Sequence, residues 1–167
     1  KTVMLYDEQG VTQIKLLLKR EGISQDAIRI IPSDYDLDQL IEGKVDAVSA
    51  YCTVEPFQMR ARGVEPRMIR AIDYGIDFYG DTLFTTREQV KNYPERVAAF
   101  RRATIKGWQY ALTHAEEIAD LIAAMPGVQE RGITRELLLQ EAAAMSDLIL
   151  PGLVDLGHMN PGRWEMI

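Results

Sequence analysis

The chain has 167 residues, of which 47% are hydrophobic and 26% are charged. These values are typical of a globular protein large enough for one core or for two small lobes. Lys and Arg total 19 against 25 Asp and Glu, a net charge of −6, so we expect no nucleic-acid partner. The longest apolar run is far shorter than the roughly 20 residues that span a bilayer.

Cysteine and histidine are too sparse for metal or thiol chemistry. Cys52 is the only cysteine, which excludes an internal disulfide and a multi-thiolate metal site. His114 and His158 have no other metal ligand at a suitable spacing, and no glycine-rich phosphate-binding motif is present. We therefore predict no metal and no cofactor, and we expect Cys52 to be a buried or hinge-lining thiol, not a nucleophile.

Strands and helices alternate in the first half of the chain. The predicted elements are a strand at residues 2–6, a helix at 11–22, a strand at 27–31, a short helix at 37–41, a strand at 45–50, a helix at 55–62 and a strand at 67–72. Parallel neighbours need a crossover of about a dozen residues, which these helices supply. This pattern predicts an α/β lobe over residues 1–74 with a parallel-dominated sheet.

Residues 75–167 are predicted to be a crossover followed by mostly helical sequence. A short strand is expected at 82–85, a capping box at Thr85–Glu88, and long helices near residues 97–112, 115–122 and 134–150. These helices need a surface to pack on, and one short strand cannot provide it. We therefore expect part of a second sheet to come from sequence outside this chain, and both chain ends to be cut points of a longer protein.

Three polar turns hold the candidate ligand-binding residues. Ligands of open α/β sheets bind beyond the carboxyl ends of the strands, and two of the turns directly follow predicted strands. The candidates are Tyr6 and Asp7 after the first strand, Tyr51, Thr53 and Glu55 after the third, and Asp77, Tyr79 and Asp81 in the crossover. Aromatic rings stack on flat ligands and carboxylates accept from amino groups, which suits a heteroaromatic or cationic small molecule. The alternative is that each is an ordinary polar turn with packed tyrosines.

Several segments in this order resemble the NMT/THI-like, thiamine-pyrimidine-precursor-binding branch of the periplasmic substrate-binding proteins. They are Asp38–Gly43, Val45–Val48, Glu55–Phe57, Gly63, Tyr74–Asp81 with Leu83–Thr85, and Pro94–Val97 with Phe100 and Gly107–Trp108. The resemblance covers about residues 1–125. It implies a periplasmic-binding-protein-like (type II) lobe followed by a helical return segment of a second lobe. It also implies that a half-lobe normally preceding residue 1 is absent here.

The resemblance further implies a binding function at the periplasmic or extracellular face of a bacterial membrane. We expect capture of a pyrimidine-like or other nitrogenous solute, for sensing through a fused signalling domain or for uptake through an ABC-type transporter. Tyr51, Thr53 and Glu55 match the family's crevice segment, and Asp77, Tyr79 and Asp81 match its crossover. The cysteine-rich motif of the fungal pyrimidine synthases has no counterpart around Cys52.

Two other hypotheses stay open. One is a pyrimidine-precursor biosynthetic enzyme of the same fold, which turnover would reveal. The other is a homodimer that forms through helices left uncovered by the missing half-lobe. If that half-lobe is missing, the predicted residues form only one side of a pocket.

Overall fold

The structure, a computed structural model, describes all residues from Lys1 to Ile167 and divides them into two compact units, Lys1–Phe78 and Tyr79–Ile167. The elements of the first unit are β1 (Thr2–Leu5), α1 (Glu8–Arg20), β2 (Arg29–Pro32), α2 (Asp38–Ile41), β3 (Ala47–Val48) and α3 (Glu55–Ala61), with 3₁₀ turns at Gln25–Ala27 and Ala71–Tyr74. The predicted division into two lobes at residue 74 stays a prediction.

The sheet of the first unit has three parallel strands in the order β2-β1-β3. In the register Met4 faces Ile31 on one side and Val48 on the other. Helices α1 and α2 lie between consecutive strands in the chain and supply the crossovers that parallel pairing requires. The predicted α/β class and the parallel sheet are confirmed, although β3 is shorter than the expected strand at 45–50.

Strand β1 is the centre of the core. Its residues Val3, Met4 and Leu5 are all buried, as expected for the middle strand of a sheet covered on both faces. The other buried apolar residues of the unit lie in its helices and loops, namely Leu18, Leu37, Val45, Met59 and Ile76.

The end of the first unit is tied back to α1. Arg20 donates from Nη1 to the carbonyl oxygen of Gly75 over 2.8 Å. Gly75 has a φ of 67°, which glycine adopts without strain, and the next residue, Ile76, is buried.

Two predicted strands are wrong. Residues 67–70 form no regular structure and are followed by the 3₁₀ turn, and residues 82–85 form no strand either. The neighbours Met68 and Ile69 are both exposed, as are Leu83 and Phe84. Adjacent strand residues point to opposite faces, so neither segment has a buried face that would hold it in a sheet.

The second unit is helical, as predicted. Its elements are α4 (Arg87–Asn92), α5 (Pro94–Thr113), α6 (Ala115–Ala123), α7 (Arg135–Ile149) and α8 (Pro161–Met166), with a 3₁₀ turn at Gln129–Arg131. The predicted capping box is shifted by one residue, because Thr86 caps α4 by accepting from the Gln89 amide at 3.2 Å. None of the helices is both long enough and apolar enough to cross a membrane.

The helices of the second unit bury little apolar surface. Ala119 is its only buried residue, whereas Phe84, Leu153 and Met166 are strongly exposed. The expectation that these helices pack against a further surface stays a prediction.

The central strand provides the first test. Met4 is only 1% exposed, so Met4→Ala leaves a cavity beneath the sheet and should lower the free energy of unfolding by about 2–5 kcal/mol. The matched control is Met68→Ala, because Met68 is 46% exposed and its truncation should change stability by less than about 0.5 kcal/mol. Urea unfolding followed by circular dichroism measures both, and equal losses would contradict the assigned core.

Candidate functional site

The loops that follow all three strands begin at the same edge of the sheet, because the strands are parallel. Each loop carries a tyrosine: Tyr6 after β1, Tyr35 after β2 and Tyr51 after β3. Of the predicted site residues, Tyr6, Asp7, Tyr51, Thr53 and Glu55 all lie in these loops or at the start of α3. The carboxyl edge of the sheet is therefore the candidate site.

Glu55 connects two of the three loops. Its Oε1 accepts a hydrogen bond from the Tyr6 hydroxyl at 3.2 Å, and its Oε2 accepts from the Tyr51 amide at 2.7 Å. The residue opens α3, where Pro56 fits the first turn without losing a hydrogen bond, and Pro56 is buried. The helix start thus fixes the carboxylate between the loops after β1 and β3.

A second set of contacts holds β1 and β3 together at this edge. The Tyr6 amide donates to Ser49 Oγ at 2.8 Å. Asp7 caps α1 through its Oδ1, which accepts from the Gly10 amide at 2.7 Å. A Cβ at Gly10 would lie 3.8 Å from the Ser49 Cβ, so the start of α1 packs closely on the loop after β3. Asp7, a predicted ligand contact, therefore also has a structural role.

Tyr35 lies at the candidate site, although it was not among the residues predicted from the sequence. Its ring stacks on that of Tyr6, with centroids 4.6 Å apart and planes inclined by 14°. The φ of Tyr35 is 65°, in the left-handed region, which costs a residue with a side chain roughly 1–2 kcal/mol. Stacked aromatic pairs contribute about 0.5–1.5 kcal/mol, so the stack and the strain nearly cancel. The signal that could have found Tyr35 is the recurrence of a tyrosine after each strand.

The remaining residues of the turn after β3 differ in exposure. Tyr51 is 58% exposed, whereas Thr53 is 9% exposed and counts among the buried residues. Cys52 between them is a free, exposed thiol. The expectation of a buried thiol is therefore wrong, and a hinge-lining position stays a prediction. The reason is local: the turn packs on the unit through Thr53 and Pro56 and leaves Cys52 outside.

The crossover residues are divided between the two units. Asp77 lies next to buried Ile76 near the end of the first unit, whereas Tyr79 and Asp81 belong to the second. Their expected role in ligand binding stays a prediction.

Tyr79 packs within the second unit. Its ring lies 5.0 Å from that of Trp164, and the Arg163 guanidinium lies 4.1 Å from its centroid. Its hydroxyl accepts from the Asn160 amide at 2.9 Å.

The electrostatics of the site are dominated by the pair of Tyr6 and Glu55. Burial raises the pKa of the Tyr6 phenol well above its usual value of 10.0, and the adjacent Glu55 carboxylate raises this pKa further. Tyr6 is therefore a neutral hydrogen-bond donor over the physiological range, and Glu55 is its acceptor. No group of three or more His, Cys, Asp and Glu side chains among the 167 residues is placed to hold a metal ion.

The side chains at this edge can stack on a flat ring and accept hydrogen bonds from its N–H groups. The edge combines a stacked tyrosine pair, an exposed tyrosine and a fixed carboxylate. A carboxylate oxygen has two lone pairs, and Tyr6 and Tyr51 use one on each oxygen. Each oxygen of Glu55 thus retains capacity for a further donor.

A depression of about 260 Å³ at the end of α6, lined by residues such as Ala123, Met125 and Glu130, contains none of the predicted site residues.

The raised pKa of Tyr6 predicts a pH dependence of stability. Folding favours the protonated phenol, so its contribution is present below about pH 10 and is lost as the pH rises above that value. The stability difference between wild type and Tyr6→Phe should therefore shrink between about pH 9 and pH 11. Urea unfolding across this range measures the difference, and a pH-independent value would contradict the assignment.

Two comparisons with known proteins show which family the chain is similar to. Residues 1–118 match the family described as NMT1/THI5 like, which confirms the resemblance noted from the sequence. The chain is also 26% identical over 127 residues to the riboflavin-binding protein RibY of Chloroflexus aurantiacus; the match covers 75% of this chain but only 36% of that protein. Because the family match extends over more than half of its residues, the chain belongs to the NMT1/THI5-like family.

Proposed function

We propose that this protein binds a small, flat nitrogenous solute outside the cytoplasm, as a receptor for sensing or uptake. The observation that carries the proposal is the convergence of Tyr6, Tyr51 and Glu55 at the carboxyl edge of a parallel sheet. In open α/β sheets this edge is where ligands bind. A solute held there would stack on an aromatic ring and donate a hydrogen bond to the carboxylate.

The comparisons support a ring of this kind. The relative matched above carries the name riboflavin-binding protein, and the flavin ring system contains a pyrimidine ring with one N–H donor. A pyrimidine-like solute was also the expectation from the sequence. Riboflavin and aminopyrimidines are therefore the first ligands to test. The protein partner that we expect is a membrane transporter or a signalling domain.

Charge favours an uncharged or cationic ligand over an anionic one. Asp7, Asp34, Asp36 and Glu55 all lie in the loops at this edge, and the whole chain carries a net charge of −6. A phosphorylated ligand would meet like charges there, and like charges repel. We expect riboflavin to bind more tightly than its phosphate ester.

Isothermal titration calorimetry of ligand binding to the full-length protein tests the proposal. Replacing Glu55 with Gln removes a charge-assisted hydrogen bond, worth about 1.5–3 kcal/mol, and should weaken binding of riboflavin or an aminopyrimidine roughly ten- to a hundredfold. The matched control is Glu65→Gln in the same unit, where the carboxylate pairs with Arg60 at the surface; this change should leave affinity unaltered.

The outcomes are distinct. Absence of binding by the wild-type protein across riboflavin, its phosphate ester and a panel of pyrimidines and amines would refute the proposal. Recovery of a chemically altered ligand after incubation would favour the biosynthetic enzyme instead of the receptor.

A further inference from the structure

Tyr35 is the most unusual side chain of the candidate site. It is 71% exposed, more than any other large hydrophobic residue of the first unit. One face of its ring nevertheless covers Tyr6, whose hydroxyl is bound to Glu55. The face of Tyr6 that a ligand ring would use is therefore occupied by another residue of the same chain.

The backbone that presents Tyr35 is constrained and strained. The Tyr35 amide donates to Ser33 Oγ at 3.0 Å, and Asp34 accepts from the Asp36 amide at 3.1 Å. These turns keep Tyr35 at a φ of 65°, where glycine or asparagine would be accommodated at lower cost. A bulky aromatic residue at this position calls for a reason beyond the turn itself, and the stack on Tyr6 provides one.

The strain also makes the stack easy to open. When Tyr35 leaves the left-handed conformation, it loses the stacking energy but also releases the backbone strain that this energy offsets. Its ring is already largely exposed, so moving it into solvent removes little buried surface. A larger ring that stacks on Tyr6 would replace the lost contact. Exchange of Tyr35 for a ligand ring should therefore have a small net cost.

The position of Glu55 selects the kind of ring. Its Oε1 lies 3.2 Å from the Tyr6 hydroxyl, so the carboxylate sits at the rim of the surface that Tyr35 covers. A planar ring larger than a phenol, stacked on Tyr6, would extend an edge to this carboxylate. An N–H group at that edge would find an acceptor oxygen with a free lone pair.

We propose that the face of Tyr6 covered by Tyr35 is a binding subsite for a planar heteroaromatic ring with an N–H donor at its edge, and that Tyr35 is the residue which the ring displaces. This inference rests on the proposed function. It adds the stacking surface, the kind of ring and a residue that competes with the ligand.

The sign of one mutational effect tests the inference. Tyr35→Asn keeps a residue that tolerates the left-handed conformation but removes the competing ring. With riboflavin as the probe and the full-length protein, this variant should bind roughly twofold more tightly than wild type, because the stack and the strain nearly cancel and the closed and open positions of Tyr35 are then similarly populated. Tyr35→Trp, which enlarges the competing ring, should bind no more tightly than wild type. Flavin fluorescence measures all affinities.

Ile69→Asn is the matched control, because Ile69 is also a strongly exposed apolar residue of the first unit and should not affect the affinity. If Tyr35→Asn binds riboflavin no more tightly than wild type, the inference is overturned. Binding of riboflavin by the wild-type protein would still leave the proposed function intact. Binding by Tyr35→Asn alone would support the inference. Absence of riboflavin binding in both proteins would overturn it, and the panel of other solutes would then decide the proposed function separately.

Discussion

The parallel pairing of β1 with β2 and β3 is the constraint on which the rest of the structure depends. It buries Met4 at the centre of the first unit, and it places the ends of three strands at one edge. Backbone pairing therefore does two things at once. It provides the core, and it brings together loops that are far apart in the sequence, so that residues 6, 35 and 51 can take part in one site.

Glu55 joins the loops after β1 and β3 into a defined surface. Its two oxygens are held by groups from different loops, and its position is fixed by the first turn of α3. A carboxylate fixed on both oxygens loses little freedom when it accepts another donor, which is the usual advantage of a preorganised site. Burial and then the Glu55 carboxylate raise the pKa of Tyr6, and the hydrogen bond to Glu55 holds its hydroxyl in place.

Much of the first unit could be predicted from the sequence, because local periodicity and turn residues set its elements. The rule for parallel sheets then placed Tyr6, Tyr51 and Glu55 at one edge. The predicted strand at residues 67–72 is wrong, because an apolar pattern forms a strand only where a neighbouring strand pairs with it. Tyr35 was missed because its left-handed backbone and its stack on Tyr6 depend on tertiary contacts. The packing of Tyr79 on Trp164 depends on residues far along the chain in the same way.

The central claim is that a flat ring binds on Tyr6 beside Glu55, at the carboxyl edge of the sheet. A crystal structure of the full-length protein with riboflavin bound tests this most directly. The account predicts the ring stacked on Tyr6, an N–H group of the ring within hydrogen-bond distance of Glu55, and Tyr35 moved away from Tyr6. Riboflavin bound elsewhere, with Tyr35 still stacked on Tyr6, would contradict it.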